Sequence, residues 1–100
     1  MLHTINKSPY EKNSFETCMR LAAAESSILL IEDGVYAAID NTKISELIKE
    51  NPSNFKFYVL EADLKARGLD KNSLIPNIEI ISYKGFVKLT VENEKTQTWL

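Results

Sequence analysis

Segments that read as strands and segments that read as helices alternate along the whole chain, with no linker, repeat or low-complexity block between them. Strands separated by helical crossovers pair in parallel, since each crossover returns the chain to the same end of the sheet. The strand-like stretches are "MLHTI" at the start, "SILLIE" from Ser27 to Glu32, "FKFYVLE" from Phe55 to Glu61 and "IEIIS" from Ile78 to Ser82. "TQTWL" adds a short extended edge. The apolar run in "SILLIE" is continuous, as in a central strand buried on both faces. The pattern predicts one α/β domain over residues 1–100, a three-layer α/β/α arrangement around a mostly parallel sheet of four to five strands.

The helical stretches carry their own punctuation. Ser8, Pro9 and Glu11 have the spacing of a capping box, and Asn13 with Glu16 offers a second start. The first helix begins at one of these places and runs to about Ala23, with Phe15, Cys18, Leu21 and Ala22 on one face. Asp33-Gly34 ends the second strand, "VYAAI" is a short helical segment, and "KISELIKEN" is a helix with Ile44, Leu47 and Ile48 inward that Pro52 closes. Gly68 stands in the C′ position of "ADLKARG". The last helix, "YKGFVKLTVEN", places Tyr83, Phe86, Val87 and Thr90 along one side.

Composition excludes several kinds of function. One hundred residues make a small core, and a single cysteine forms no disulfide within the chain, so a partner subunit is a reasonable source of extra burial. "MLHTINKSPYEKN" lacks the apolar centre of a secretory signal, and the run from Ile28 to Ile31 is far short of a membrane span. A soluble, cytoplasmic protein with no membrane partner is expected. The net charge of -2, with Lys and Arg scattered singly, leaves no basic footprint for direct nucleic-acid binding. One Cys (Cys18) and one His (His3) do not make a zinc set, and Gly34, Gly68 and Gly85 fit no phosphate-cradling loop. Neither a metal nor a cofactor is expected.

In a sheet of this kind chemistry sits beyond the carboxyl ends of the strands, which directs attention to the loops after Ile5, Glu32, Glu61 and Ser82. Glu32 and Asp33 are adjacent acids there, although Asp33-Gly34 also reads as an ordinary strand-to-helix turn. His3 lies inside a strand with no catalytic companion at recognisable spacing and reads as a structural or surface residue. Cys18 lies beyond the first helical turn whichever cap is used, so the helix dipole does not reach it. Its neighbours three and four residues away are Ser14, Phe15, Leu21 and Ala22, none of them a base or a cation. Residue chemistry thus favours an inert core thiol over a reactive one, with both readings open.

Five stretches taken together resemble the DsrH/TusB family of small sulfur-relay subunits. They are "MLHTINKSPYE", "LLIEDGVYAAI", "VLEADLKARGL", "ISYKGFVKLTVE" and the terminal "TWL", in order and at family spacing over nearly the whole chain. The resemblance implies a DsrE/DsrF/DsrH-type fold and assembly with DsrE/TusD-like and DsrF/TusC-like subunits into a heterohexamer with two copies of each. One branch of the family passes persulfide sulfur in dissimilatory sulfur oxidation. The other relays it through a downstream acceptor protein toward 2-thiolation of the wobble uridine in transfer RNA. In both, the principal acceptor cysteine belongs to the DsrE/TusD-like partner. Cys18, in "NSFETCMRLA", resembles a second sulfur-handling cysteine of DsrH proteins, and some members of the tRNA branch lack it. The resemblance therefore implies a DsrH-like subunit that relays persulfide sulfur in dissimilatory sulfur oxidation, with Cys18 as candidate sulfur acceptor. The alternatives are a TusB-like subunit and an architectural subunit whose Cys18 is inert.

Overall fold

The computed structural model describes residues 1–51 and 53–100, so Pro52, expected to close a helix, lies outside the described residues. Five strands form one sheet: β1 (Leu2–Ile5), β2 (Ser27–Leu30), β3 (Lys56–Leu60), β4 (Glu79–Ile81) and β5 (Thr96–Trp99). Their spatial order is β4-β3-β2-β1-β5, and every neighbouring pair is parallel. The helices are α1 (Ser14–Leu21), α2 (Lys43–Glu50), α3 (Glu61–Ala66) and α4 (Tyr83–Glu92), with a seven-residue 3-10 helix over Glu32–Ala38. "TQTWL" is thus an edge strand, and it joins β1.

The two faces of the sheet are covered unequally. On one face Ile5, Ile28, Leu30, Phe57 and Val59 of the strands meet Phe15, Cys18 and Met19 of α1, Val35, Ala37 and Ala38 of the 3-10 helix, and Leu64 of α3. Ile44 and Ile48 of α2 pack against the same cluster. The opposite face is covered by α4, whose Leu89 and Phe86 lie over Leu2, Leu29 and Tyr58. Alternation of side chains along each strand produces this division, since successive residues point to opposite faces. Ile28, Leu29 and Leu30 are all fully buried, as the continuous run in β2 requires.

Several inward assignments change. Leu21 is largely exposed and Met19 takes its place in the core, because residues three and four apart share a helix face more closely than residues six apart. Leu47 is also exposed, while Ile44 and Ile48 pack inward. In α4 the inward side is Phe86 and Leu89, and Tyr83 and Val87 face solvent. The first helix starts at the second of the two expected places: Asn13 is its N-cap, although its side chain makes no capping bond. Ser8 instead closes one isolated turn, its Oγ accepting from Tyr10 N and its carbonyl from Glu11 N and Lys12 N. Residues 10–13 are exposed, so there is no buried face to sustain a helix before Ser14. The second strand stops at Leu30, and Glu32 enters the 3-10 helix at φ 48°. Gly68, at φ 65°, follows the C-cap Arg67 as expected of a C′ glycine.

Candidate functional site

Cys18 sits in the middle of α1 with its side chain turned into the main core, between Phe15 and Met19 in sequence and under no solvent at all (0% exposed). Burial alone pushes its thiol up to about 12, since the thiolate would lose its hydration without gaining a counter-charge. The basic residue of α1, Arg20, is on the exposed side of the helix. A thiol in this setting is a core atom: it neither ionises near neutral pH nor meets a second sulfur without movement of α1.

The acids beyond the ends of β2 and β3 are tied into a clasp. Arg67 donates from Nε to Asp33 Oδ1 at 2.9 Å, and its second guanidinium nitrogen lies 2.8 Å from the same oxygen. Arg67 also donates to the Asp63 carbonyl at 3.2 Å, and Asp63 Oδ2 accepts from the Glu32 backbone N–H at 2.7 Å. The clasp joins the 3-10 helix to α3 and stabilises the left-handed backbone at Glu32 by occupying its amide. Gly34, one residue past Asp33, packs so closely on the end of β1 that a Cβ there would overlap the Ile5 carbonyl oxygen. Asp33 and Glu32 therefore serve the joint between strand and helix, as the turn reading expects.

His3 is 4% exposed and takes a structural place in β1. The Trp99 indole N–H donates to His3 Nδ1 at 3.0 Å, from a position 96 residues away in sequence. This bond assigns the imidazole proton to Nε2, a buried nitrogen with no partner among the described residues. Burial lowers the His3 pKa below 6.5, in favour of the neutral ring. His3 and Cys18 are not hydrogen-bonded to each other.

A hollow of about 350 Å³ lies at the amino ends of β3 and β4 and is lined by Ile48, Phe55, Phe57 and Ile78 with Asn51, Asn54 and Asn77 at its sides. It holds no Cys, His or carboxylate. Among the described residues no group of three His, Cys, Asp or Glu side chains is placed to hold a metal ion, and no helix is long and apolar enough to cross a membrane. The sequence reading missed Arg67 and the His3–Trp99 pair. "ARG" in "ADLKARGL" held the only hint of the first, and nothing local signals the second.

The family model described as DsrH like protein matches residues 7–96. The chain belongs to the DsrH-like family. Proteins named TusB from Yersinia pestis and Yersinia pseudotuberculosis are each 38% identical to it over 99% of this chain and 100% of the relative. Among solved structures, the ychN protein of E. coli superposes with a TM-score of 0.82 over 98% of this chain and 97% of that one, at 19% identity. A Thermotoga maritima protein solved in solution gives a TM-score of 0.63 at 26% identity, covering 95% and 97%. The ychN likeness shows the fold of this DsrH-like chain alone, whereas the TusB likeness extends to the sequence and supports a sulfur-relay subunit that works within a complex.

Proposed function

We propose that this DsrH-like chain is a TusB-like subunit of the sulfur relay that leads to 2-thiolation of the wobble uridine in transfer RNA. The observation that carries the reading is the 38% identity to proteins named TusB, which spans both chains end to end. These names favour the tRNA branch over sulfur oxidation, for which Cys18 is the single argument. In the relay a thiolate attacks the outer sulfur of a persulfide, takes that sulfur as its own persulfide and releases the donor thiolate. The rate follows the thiolate fraction and the access of the attacking sulfur. Cys18 has neither in this chain, so the subunit acts by assembly: it completes a cytoplasmic heterohexamer with DsrE/TusD-like and DsrF/TusC-like subunits, two copies of each, whose own cysteine carries the sulfur to a downstream acceptor protein.

The test is twofold. Removing the chain from its host is expected to lower 2-thiouridine in the affected transfer RNAs, and an unchanged level would overturn the branch assignment. A complex carrying Cys18→Ser is expected to assemble and to transfer sulfur, followed by mass spectrometry after a persulfide donor is added, at the wild-type rate. Loss of transfer with the assembly intact would make Cys18 a carrier in place of a core residue.

A further inference from the structure

We infer that the outer edge of β5 pairs antiparallel with the same edge of a second copy of this chain, joining two five-stranded sheets across a two-fold axis. The inference uses only the sheet edge and does not depend on the relay role.

The two edges of the sheet differ. β4 is three residues long, carries Glu79 and follows Asn77, which has a positive φ of 75°. Short strands, charges and irregular approaches are the devices by which proteins close an edge to further pairing. β5 is also short, at four residues, but Thr96, Gln97, Thr98 and Trp99 are uncharged, free of Gly and Pro, and β-branched or aromatic apart from Gln97. It pairs with β1 on one side and with no strand on the other among the described residues.

A strand near a chain end commonly frays, which would remove such an edge from use. This one is pinned from both faces and at its end. The Trp99 indole donates to His3 on the α1 face, Thr4 Oγ1 donates to Thr98 Oγ1 at 3.4 Å on the α4 face, and the buried Ser14 hydroxyl donates to the Leu100 carbonyl at 2.8 Å. The strand is thus held rigid with its outer backbone groups presented.

Self-pairing is the solution that closes. Joining β5 of one copy to β4 of the next would continue the parallel sheet head to tail into an open filament, through the edge that is already blocked; pairing β5 with itself ends at two copies. A neutral strand meets itself without like-charge repulsion. A two-fold axis normal to the sheet keeps each face on its own side, so Gln97 stands opposite the second copy's Gln97 or one diagonal step from it. Four residues give few backbone bonds, and the association is reversible.

Sedimentation velocity over a concentration series tests this with the full chain. The wild type is expected to interconvert between monomer and dimer. Gln97→Lys and Gln97→Glu, each at an exposed position, are expected to be monomeric with unchanged circular dichroism and Trp99 fluorescence, and an equimolar mixture of the two is expected to recover the dimer. A wild type that stays monomeric, a dimer that survives either substitution, or variants that fail to recover on mixing would overturn the inference. Open-ended growth beyond the dimer would overturn it in favour of β5–β4 stacking. If the wild type is monomeric and Gln97→Lys instead weakens capture of a relay subunit, the edge serves a different chain and the second-copy pairing fails.

Discussion

Cys18 and His3 are both ionisable groups that this fold keeps neutral, and both do so by exclusion of water. The Cys18 thiol, pushed up to about 12, has a vanishing thiolate fraction near neutral pH, so a water-soluble thiol reagent is expected to label the native chain far more slowly than the urea-unfolded chain, as read by mass increase over time. Replacing the sulfur by the Cys18→Ser hydroxyl is expected to cost about 1–3 kcal/mol of stability if the hydroxyl finds no partner. For His3 the folded pKa lies below the unfolded value of 6.5. Its contribution to stability is therefore complete above 6.5 and falls as the pH drops below that value, because the unfolded chain takes up the proton first. Protonation would also place a hydrogen on Nδ1, against the Trp99 donor. His3 is the one histidine of the chain, and histidine is the side chain whose ordinary charge change falls in this range, so the window belongs to this residue. The urea midpoint is expected to fall as the pH is lowered through 6.5, and His3→Phe is expected to remove that decline.

The 3-10 helix over Glu32–Ala38 is the element on which the joint between strands and helices depends. Seven residues are long for this kind of helix, whose hydrogen bonds are poorly aligned, and tertiary contacts must hold it. It is fixed at its start by the Asp33–Arg67–Asp63 clasp and the close seat of Gly34 on Ile5, and at its end by the bridge between Ile39 and Leu74. Gly34→Ala forces the helix away from β1 and is expected to cost about 1–3 kcal/mol, the range for overfilling a packed site. A lower urea midpoint at unchanged slope would register it. Arg67 and Asp33 are partly exposed, so the clasp orients the loop more than it adds stability. α2 stands in a different position: Thr42 and Ser45 form a reciprocal cap, and Lys49 bonds to Asp40 at 2.6 Å and holds that carboxyl below its ordinary range.

As a whole molecule the protein has one large core and one small one. The α1 face of the sheet is filled by parts of four helical segments, whereas on the other face the buried apolar residues are Leu2 and Leu29 of the strands with Leu89 of α4 against them. Tyr83, Val87 and Val91 lie exposed along the outside of that helix. A chain of 100 residues with this imbalance has little stability in reserve. Partners that bind only the folded form add to it by mass action. The melting temperature, measured by differential scanning fluorimetry, is expected to be higher for the proposed complex with DsrE/TusD-like and DsrF/TusC-like subunits than for the chain alone. An equal value would mean that those subunits do not bind this folded chain.

Periodicity and punctuation in the sequence were enough to determine the order of strands and helices, the parallel α/β class, the burial of β2 on both faces and the C′ role of Gly68, because these depend on residues within a few positions of one another. The resemblance carried by five spaced stretches identified the family for the same reason, since order and spacing are properties of the line. Cys18 was legible as a core residue from its helical neighbours, but the extent of its burial was not. Which residue of α1 or α4 turns inward, Met19 against Leu21 or Leu89 against Val87, depends on how each helix lies on the sheet. The Arg67–Asp33 clasp, the Trp99–His3 bond and the placing of β5 beside β1 join residues 34 to 96 positions apart. Only the closed sheet brings such pairs within bonding distance, and no local preference in either partner encodes the other.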